Sequence, residues 1–183
     1  TKIDELRPIP IEELLGREVI EAQSDLMKLA IKNKTILITG AGGSIGSELC
    51  RQVIQHMPKK IVLLEISEEN LYKINEELLQ VNIHKIKIVF ILGSSSNFKL
   101  VSKTIKDNNI DIIFHAAAYK HVPIVELNPI EGIKNNIFST VTVCEASVKN
   151  HIEKLILIST DKSVRPTNIM GASKRVAELV VQA

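Results

Sequence analysis

No tryptophan occurs among the 183 residues, and aromatic side chains make up only 3% of the chain. A core assembled with so few rings must be aliphatic, packed from Ile, Leu and Val. Cysteine is nearly as scarce: Cys50 and Cys144 stand far apart, with no C-x-x-C pair and no paired histidines. That spacing argues against a metal centre and against a disulfide, and points to two reduced thiols in a cytoplasmic setting. No apolar run reaches the ~18 residues that a membrane helix needs, and no signal-peptide pattern opens the chain. An excess of one charge is also lacking, since 23 Lys and Arg face 21 Asp and Glu for a net +2. No basic cluster alternates with aromatics, so nucleic acid is not the expected partner.

What is present reads as an ordinary globular protein, 45% hydrophobic and 24% charged. Its length suits one compact domain with at most a short appended segment. From residue 34 onward, short β-branched runs alternate with longer helical patterns. The runs at 34–39, 60–65, 85–92, 111–116 and 153–159 predict strands. Each is nearly continuous in apolar residues, as strands buried on both faces of a parallel sheet should be. Helices are predicted near 44–57, 68–80, 97–108, 125–149 and 169–182. Ser67 can cap the second of these, with Glu68 and Glu69 in its first turn. Such alternation predicts right-handed βαβ units and an α/β fold with a doubly wound, mostly parallel sheet over 34–183. Residues 1–33 have helical spacing without a strand, and predict an N-terminal helical arm or linker. The start carries no initiator Met and the end stops inside a helical pattern, so a piece of a longer protein is expected.

The stretch "ILITGAGGSIGSEL" follows the first strand and opens a helix, with Gly40, Gly43 and Gly46 at regular spacing. Glycines there let the chain turn sharply and approach a pyrophosphate, which then sits on the free amides of Ser44, Ile45 and Gly46 at the helix start. In this strand–loop–helix setting the pattern is the dinucleotide fingerprint of a Rossmann fold. Glu65 closes the second strand. A carboxylate there accepts hydrogen bonds from ribose hydroxyls and repels a 2′-phosphate, which favours NAD over NADP.

Three further stretches sharpen this reading: "HAAAYKHVPIVELNPIEGIKNN", "LILISTDKSVRPTNIMGASK" and the opening "RPIPIEELLGREVI". With the Gly-rich loop and "LLEISEENLYKINEEL", they resemble the bacterial polysaccharide-biosynthesis nucleotide-sugar 4,6-dehydratases. These belong to the extended short-chain dehydrogenase/reductase superfamily, and the resemblance is to their long, membrane-anchored type, which act as UDP-N-acetylglucosamine 4,6-dehydratases. It runs from about Arg7 to Ala183. It implies an NAD-binding core whose membrane helices lie upstream and whose sugar-binding part lies downstream, so the chain alone is expected to be inactive. It implies a cytoplasmic enzyme, at the inner face of the bacterial membrane in the parent protein, with a UDP-sugar substrate. Self-association is left open.

The resemblance also assigns roles. Asp161 matches the acid that helps the C6 hydroxyl leave, and Lys162 stands where relatives of the superfamily carry the Glu that removes the C5 proton. Lys162 can act as a base only if burial or nearby cations lower its pKa. Lys174 matches the Lys that binds the nicotinamide ribose, and Thr160 is a candidate relay for the C4 hydroxyl proton. Four residues before that Lys the superfamily normally has a proton-carrying Tyr; here it is Met170, a familiar variant among the long dehydratases. Ala116 and Ala117 pass beneath the cofactor, while Lys120 and His121 face the substrate. Asn136 matches the Asn before the long helix, which holds the active-site backbone, and is also counted with the substrate contacts, while His115 reads as structural. Ser94 replaces the usual adenine-binding Asp, which puts NAD retention in question. Two other readings stay open: an epimerase of the same fold, and a catalytically silent dinucleotide-binding regulator.

Overall fold

The computed structural model describes residues 24–82 and 84–183. The opening segment of the family resemblance and most of the predicted arm therefore lie outside the described residues. What is described of that arm is helix α1 (Ser24–Ile31), whose Ile31 is buried and whose Met27 packs against the core.

Five strands follow: β1 (Thr35–Thr39), β2 (Lys60–Glu65), β3 (Lys87–Leu92), β4 (Ile112–His115) and β5 (Lys154–Leu157). They form one parallel sheet in the order β3-β2-β1-β4-β5. The connections are α2 (Ser44–Gln55), α3 (Glu68–Val81) and α4 (Phe98–Asn108), then the helices between β4 and β5, and α8 (Ile169–Gln182) closes the chain. The parallel order forces each connection across a face of the sheet, and alternation along the strands fills both sides. Ile36 and Ile38 of β1 pack with Cys50, Val53 and Ile54 of α2 and with Ile74 and Leu78 of α3. Leu37, one residue out of phase, packs on the opposite face with Val101 and Ile105 of α4 and Val143. Each such side chain taken fully from water contributes roughly 1.5–3 kcal/mol. These two aliphatic layers are what an almost ring-free sequence builds. Cys50 sits in the first layer, and burial pushes its thiol up to about 12.

Two expectations are corrected. The strands β3 and β5 are not buried on both faces but mix exposed and half-buried positions, because they form the edges of the sheet. The single helix expected over 125–149 is four segments: α5 (Val122–Leu127), α6 (Pro129–Ile133), a π-helical turn (Lys134–Phe138) and α7 (Ser139–Lys149). The cause of the first break is Pro129, which disfavours helical geometry at the residue before it. Asn128 accordingly sits at φ −134°, ψ 60°.

The chain leaves β1 towards β2 on one side and returns through β4 on the other. Between the carboxyl ends of β1 and β4 the connections diverge, and such a switch point opens a crevice where α/β sheets bind ligands.

Candidate active site

The floor of that crevice is the turn from β1 into α2. Gly43 caps α2 without any side-chain hydrogen bond, and the first helical turn carries no acidic residue. The amides of Ser44, Ile45 and Gly46 therefore have no intrahelical acceptor and present the positive end of a helix of 12 residues. A Cβ on Gly46 would stand 1.9 Å from the Gly40 carbonyl oxygen, so only glycine lets the loop fold this tightly onto the helix. Gly40, Gly43, Ala116 and Ala117 line the cavity beside β2, and Gly43 to Gly46 line the adjoining one. The structure thus brings together the glycines, Ser44, Ile45 and the two alanines that the fingerprint and the resemblance singled out.

Glu65 faces the first cavity, yet its carboxylate is already engaged. Oε2 accepts the Gly42 amide at 2.9 Å, and Oε1 accepts the amides of Ile66 and Ser67 at 2.9 and 3.0 Å. It is only 6% exposed, so this buried anion ties the Gly-rich loop to the end of β2. Ser94 lines the same cavity, and its hydroxyl accepts the Ser96 amide at 3.1 Å.

After β4 the chain passes through Ala116–Ala118 to Tyr119, Lys120 and His121. Lys120 reaches across the crevice and donates to the Ser44 hydroxyl at 2.9 Å. His121 is exposed at the start of α5 and makes no side-chain cap. Asn136, expected to hold the active-site backbone and counted also with the substrate contacts, is 1% exposed in the π-helical turn. Its Oδ1 accepts the Tyr119 amide at 2.7 Å, while Nδ2 reaches the Tyr119 carbonyl at 3.0 Å and the Ser173 hydroxyl at 2.9 Å. With its amide spent on protein groups, Asn136 shapes the loop from below.

His115, at the end of β4, is also structural. The Thr140 hydroxyl gives its proton to the Asn136 carbonyl at 2.8 Å, so it accepts from His115 Nε2 at 3.2 Å. Nδ1 then accepts from Thr39 Oγ1 at 2.6 Å. Burial, and then the nearby Lys174 charge, push the imidazole down to about 3.

The wall opposite the glycine turn comes from the segment after β5. Thr160 caps a 3₁₀ turn over Asp161–Ser163, and Met170 and Lys174 project from the first two turns of α8. Thr160, Lys162, Met170 and Lys174 line one cavity with Ile45, Ala116, Tyr119 and Lys120. Asp161 is exposed beside it; the Thr160 hydroxyl at 3.0 Å and the Lys162 ammonium at 3.6 Å hold its carboxyl below the usual range. Lys162 is itself about half exposed. Lys174 is 6% exposed; it donates to the Ile158 carbonyl at 2.6 Å, and burial lowers its pKa while Glu178 works against that. Met170, 4% exposed, fills the place beside it with an apolar wall.

One residue escaped sequence reasoning. Glu178 of α8 accepts from the hydroxyls of Ser159 and Ser163, the latter at 2.6 Å, and pairs with Arg175 at 2.8 Å. These contacts push its carboxyl down to about 2. The available signal was helical spacing, since Glu178 lies one turn beyond Lys174 on the same face.

Comparison with known proteins gives the geometry a context. The family described as polysaccharide biosynthesis protein matches residues 36–183. The capsular polysaccharide biosynthesis protein CapD of Staphylococcus aureus is 42% identical over 182 residues, covering 100% of this chain and 30% of its own length. A UDP-glucose 4-epimerase of Rickettsia canadensis is 34% identical over 149 residues, covering 80% of this chain and 42% of its own. Among solved structures, Pen from Bacillus thuringiensis superposes with a TM-score of 0.74 at 34% identity, covering 82% of this chain and 44% of its own. The chain thus spans less than half the length of each of these proteins.

Proposed function

The chain belongs to the polysaccharide biosynthesis protein family, and on that premise we propose that the protein carrying it is an NAD-dependent nucleotide-sugar 4,6-dehydratase acting on UDP-N-acetylglucosamine. The observation that supports this most is the gathering of Thr160, Lys162, Met170 and Lys174 in one cavity, with Asp161 at its rim, across from the glycine turn.

The residues present fit NAD. Three unpaired amides at the start of α2 offer donors to a diphosphate, and Lys120 adds a cation at the same place. Among the described residues the cavity beside β2 is lined by Glu65, Ser67 and Asn70 and by no Lys or Arg, so an adenosine ribose suits it better than a 2′-phosphate. A relative solved with NAD and UDP, the UDP-glucose 4-epimerase of Bifidobacterium longum, has the same fold.

NAD, held on the amides at the start of α2 beside Lys120, would supply the hydride acceptor for sugar C4 and the hydride donor for C6. The protein's own groups manage the protons. The C4 hydroxyl proton leaves through Thr160 to water or to Asp161, since the thioether of Met170 takes no proton. Lys162 removes the C5 proton, which the 4-ketone has made acidic. Asp161 gives a proton to the departing C6 hydroxyl. Both roles need the turn to be covered by the bound sugar, because burial favours the neutral form of an acid or an amine, whereas the open turn holds the Asp161 carboxyl below its usual range. Lys174 contributes a fixed positive charge beside the nicotinamide ribose. We place the protein in the cytoplasm, in line with its unpaired thiols, and the exposed Leu127 and Ile130 give a second copy an apolar surface to cover.

The reading is tested with the full-length protein and UDP-N-acetylglucosamine in deuterated water. A 4-keto-6-deoxy product with deuterium at C5 is expected. Conversion to the C4 epimer without loss of water would establish instead the activity named for the Rickettsia relative, and NAD binding with no product would establish a silent regulator.

A further inference from the structure

We propose that Glu178 is a positioning residue that holds the Thr160–Asp161–Lys162 turn and the Lys174 ammonium in one fixed arrangement. The assignment rests on the dehydratase reading for its catalytic consequence, but the arrangement itself does not depend on it.

The turn is gripped at both ends from a single helix. On its upstream side Ser159 donates to Glu178 Oε1, and on its downstream side Ser163 reaches the same oxygen at 2.6 Å. The Ser163 hydroxyl also lies 2.6 Å from the Thr160 carbonyl, but it has one proton, and a carboxylate is the stronger acceptor. Oε2 is engaged by Arg175 at 2.8 Å. One turn earlier on α8, Lys174 donates to Ile158, the residue before Ser159. Successive turns of α8 therefore fix residues 158, 159 and 163 and leave Thr160, Asp161 and Lys162 standing between them. Gly171 lets the turn come this close, because a Cβ there would stand 2.3 Å from the Lys162 carbonyl.

An ordinary surface Glu would show only the helical pair with Arg175, worth little in water. Glu178 instead has a side chain only 21% exposed and gathers two hydroxyls from outside its helix. It is also the anion that favours the charged form of the buried Lys174. Tyr119, Lys120 and Lys162 line the same cavity as that ammonium, His115 on β4 feels its charge, and Glu178 is the anion that faces it from α8 itself.

The test compares Glu178→Gln, which keeps size and removes charge, with Glu178→Asp, which restores it. In the full-length protein, Glu178→Gln is expected to lower kcat by roughly 10–100-fold with the sugar-nucleotide KM and the NAD affinity changed less than about threefold. The alkaline limb of its kcat profile should move to lower pH, and Glu178→Asp should recover part of the loss. Unchanged kcat, or a loss confined to KM, would overturn the proposal. Amide hydrogen exchange across residues 160–163 reads the tether without turnover. Exchange there should quicken by about tenfold or more in Glu178→Gln while that of the β1 and β2 amides stays put. Equal exchange at 160–163 sinks the proposal even in an active dehydratase. A wild-type protein that makes no product sinks the dehydratase reading, and the exchange result still decides the tether.

Discussion

Asn136 holds the main chain of Tyr119 from both sides, accepting its amide at 2.7 Å and reaching its carbonyl at 3.0 Å. A short irregular loop is thereby given the directional bonds that a strand would have had. Its third contact, to Ser173, ties that loop to the helix carrying Met170 and Lys174. The loop after β4 and the start of α8 are joined through one carboxamide.

Replacing Asn136 with Ala should therefore reach beyond local packing. It strips four hydrogen bonds at a site 1% exposed, and a stability loss of about 2–4 kcal/mol is expected in chemical denaturation. A loss below about 0.5 kcal/mol would mean the loop is held by something else.

Asp161→Asn and Lys162→Ala should each cut turnover by roughly 10²–10⁴, the usual worth of an acid or base. Melting temperatures should stay near wild type, because both side chains are exposed and their pair is a surface one. Near-normal turnover in either variant would remove that residue from the mechanism.

Met170→Tyr asks whether the cleft lacks a proton acceptor. If the relay through Thr160 limits the first step, a phenol at this position speeds NAD reduction in a single turnover. Blocked substrate binding with no faster reduction would instead show that Met170 serves as an apolar wall, as its burial suggests.

His115 predicts a pH dependence of stability. Its folded pKa is about 3, whereas the unfolded chain titrates near ~6.5. Between those values the unfolded state binds a proton that the folded state refuses, so stability falls as pH falls. Going from pH 7 to pH 5 this contributes a loss of about 2 kcal/mol, and His115→Gln should lack that part of the slope. Parallel slopes for the two proteins in urea titrations would contradict a buried neutral imidazole.

Gly46→Ala should abolish dinucleotide binding measured by fluorescence or calorimetry. The added methyl would meet a backbone carbonyl that cannot move without opening the turn. Overpacking of this kind costs about 1–3 kcal/mol in stability as well.

The strand positions, the glycine turn and the cluster after β5 were legible because each is a local pattern. "KIVLLE" matches β2 residue for residue, and the helix predicted over 169–182 matches α8. The edge character of β3 and β5 was not legible, since an apolar run does not say whether a neighbour lies on both sides. Glu65 could be placed at the end of β2, but its three amide partners come from loop geometry that no spacing records. Asn136 was found by its motif as a residue that holds backbone, but that its partners are Tyr119 and Ser173 comes only from the fold. Glu178 was missed because two of its partners are serines flanking the turn, unremarkable until the fold brings them together.

The π-helical turn has an implication for how this protein tolerates change. Such a turn is an α-helix carrying one residue more than its register needs. Losing any one residue between Lys134 and Phe138 would restore the regular helix and swing Asn136 by about 100° relative to α7. The carboxamide would then point away from Tyr119, with no residue at the site exchanged for another. In this stretch an in-frame deletion is expected to be more damaging than most substitutions, and variants of the protein should differ there in letters while keeping the same count.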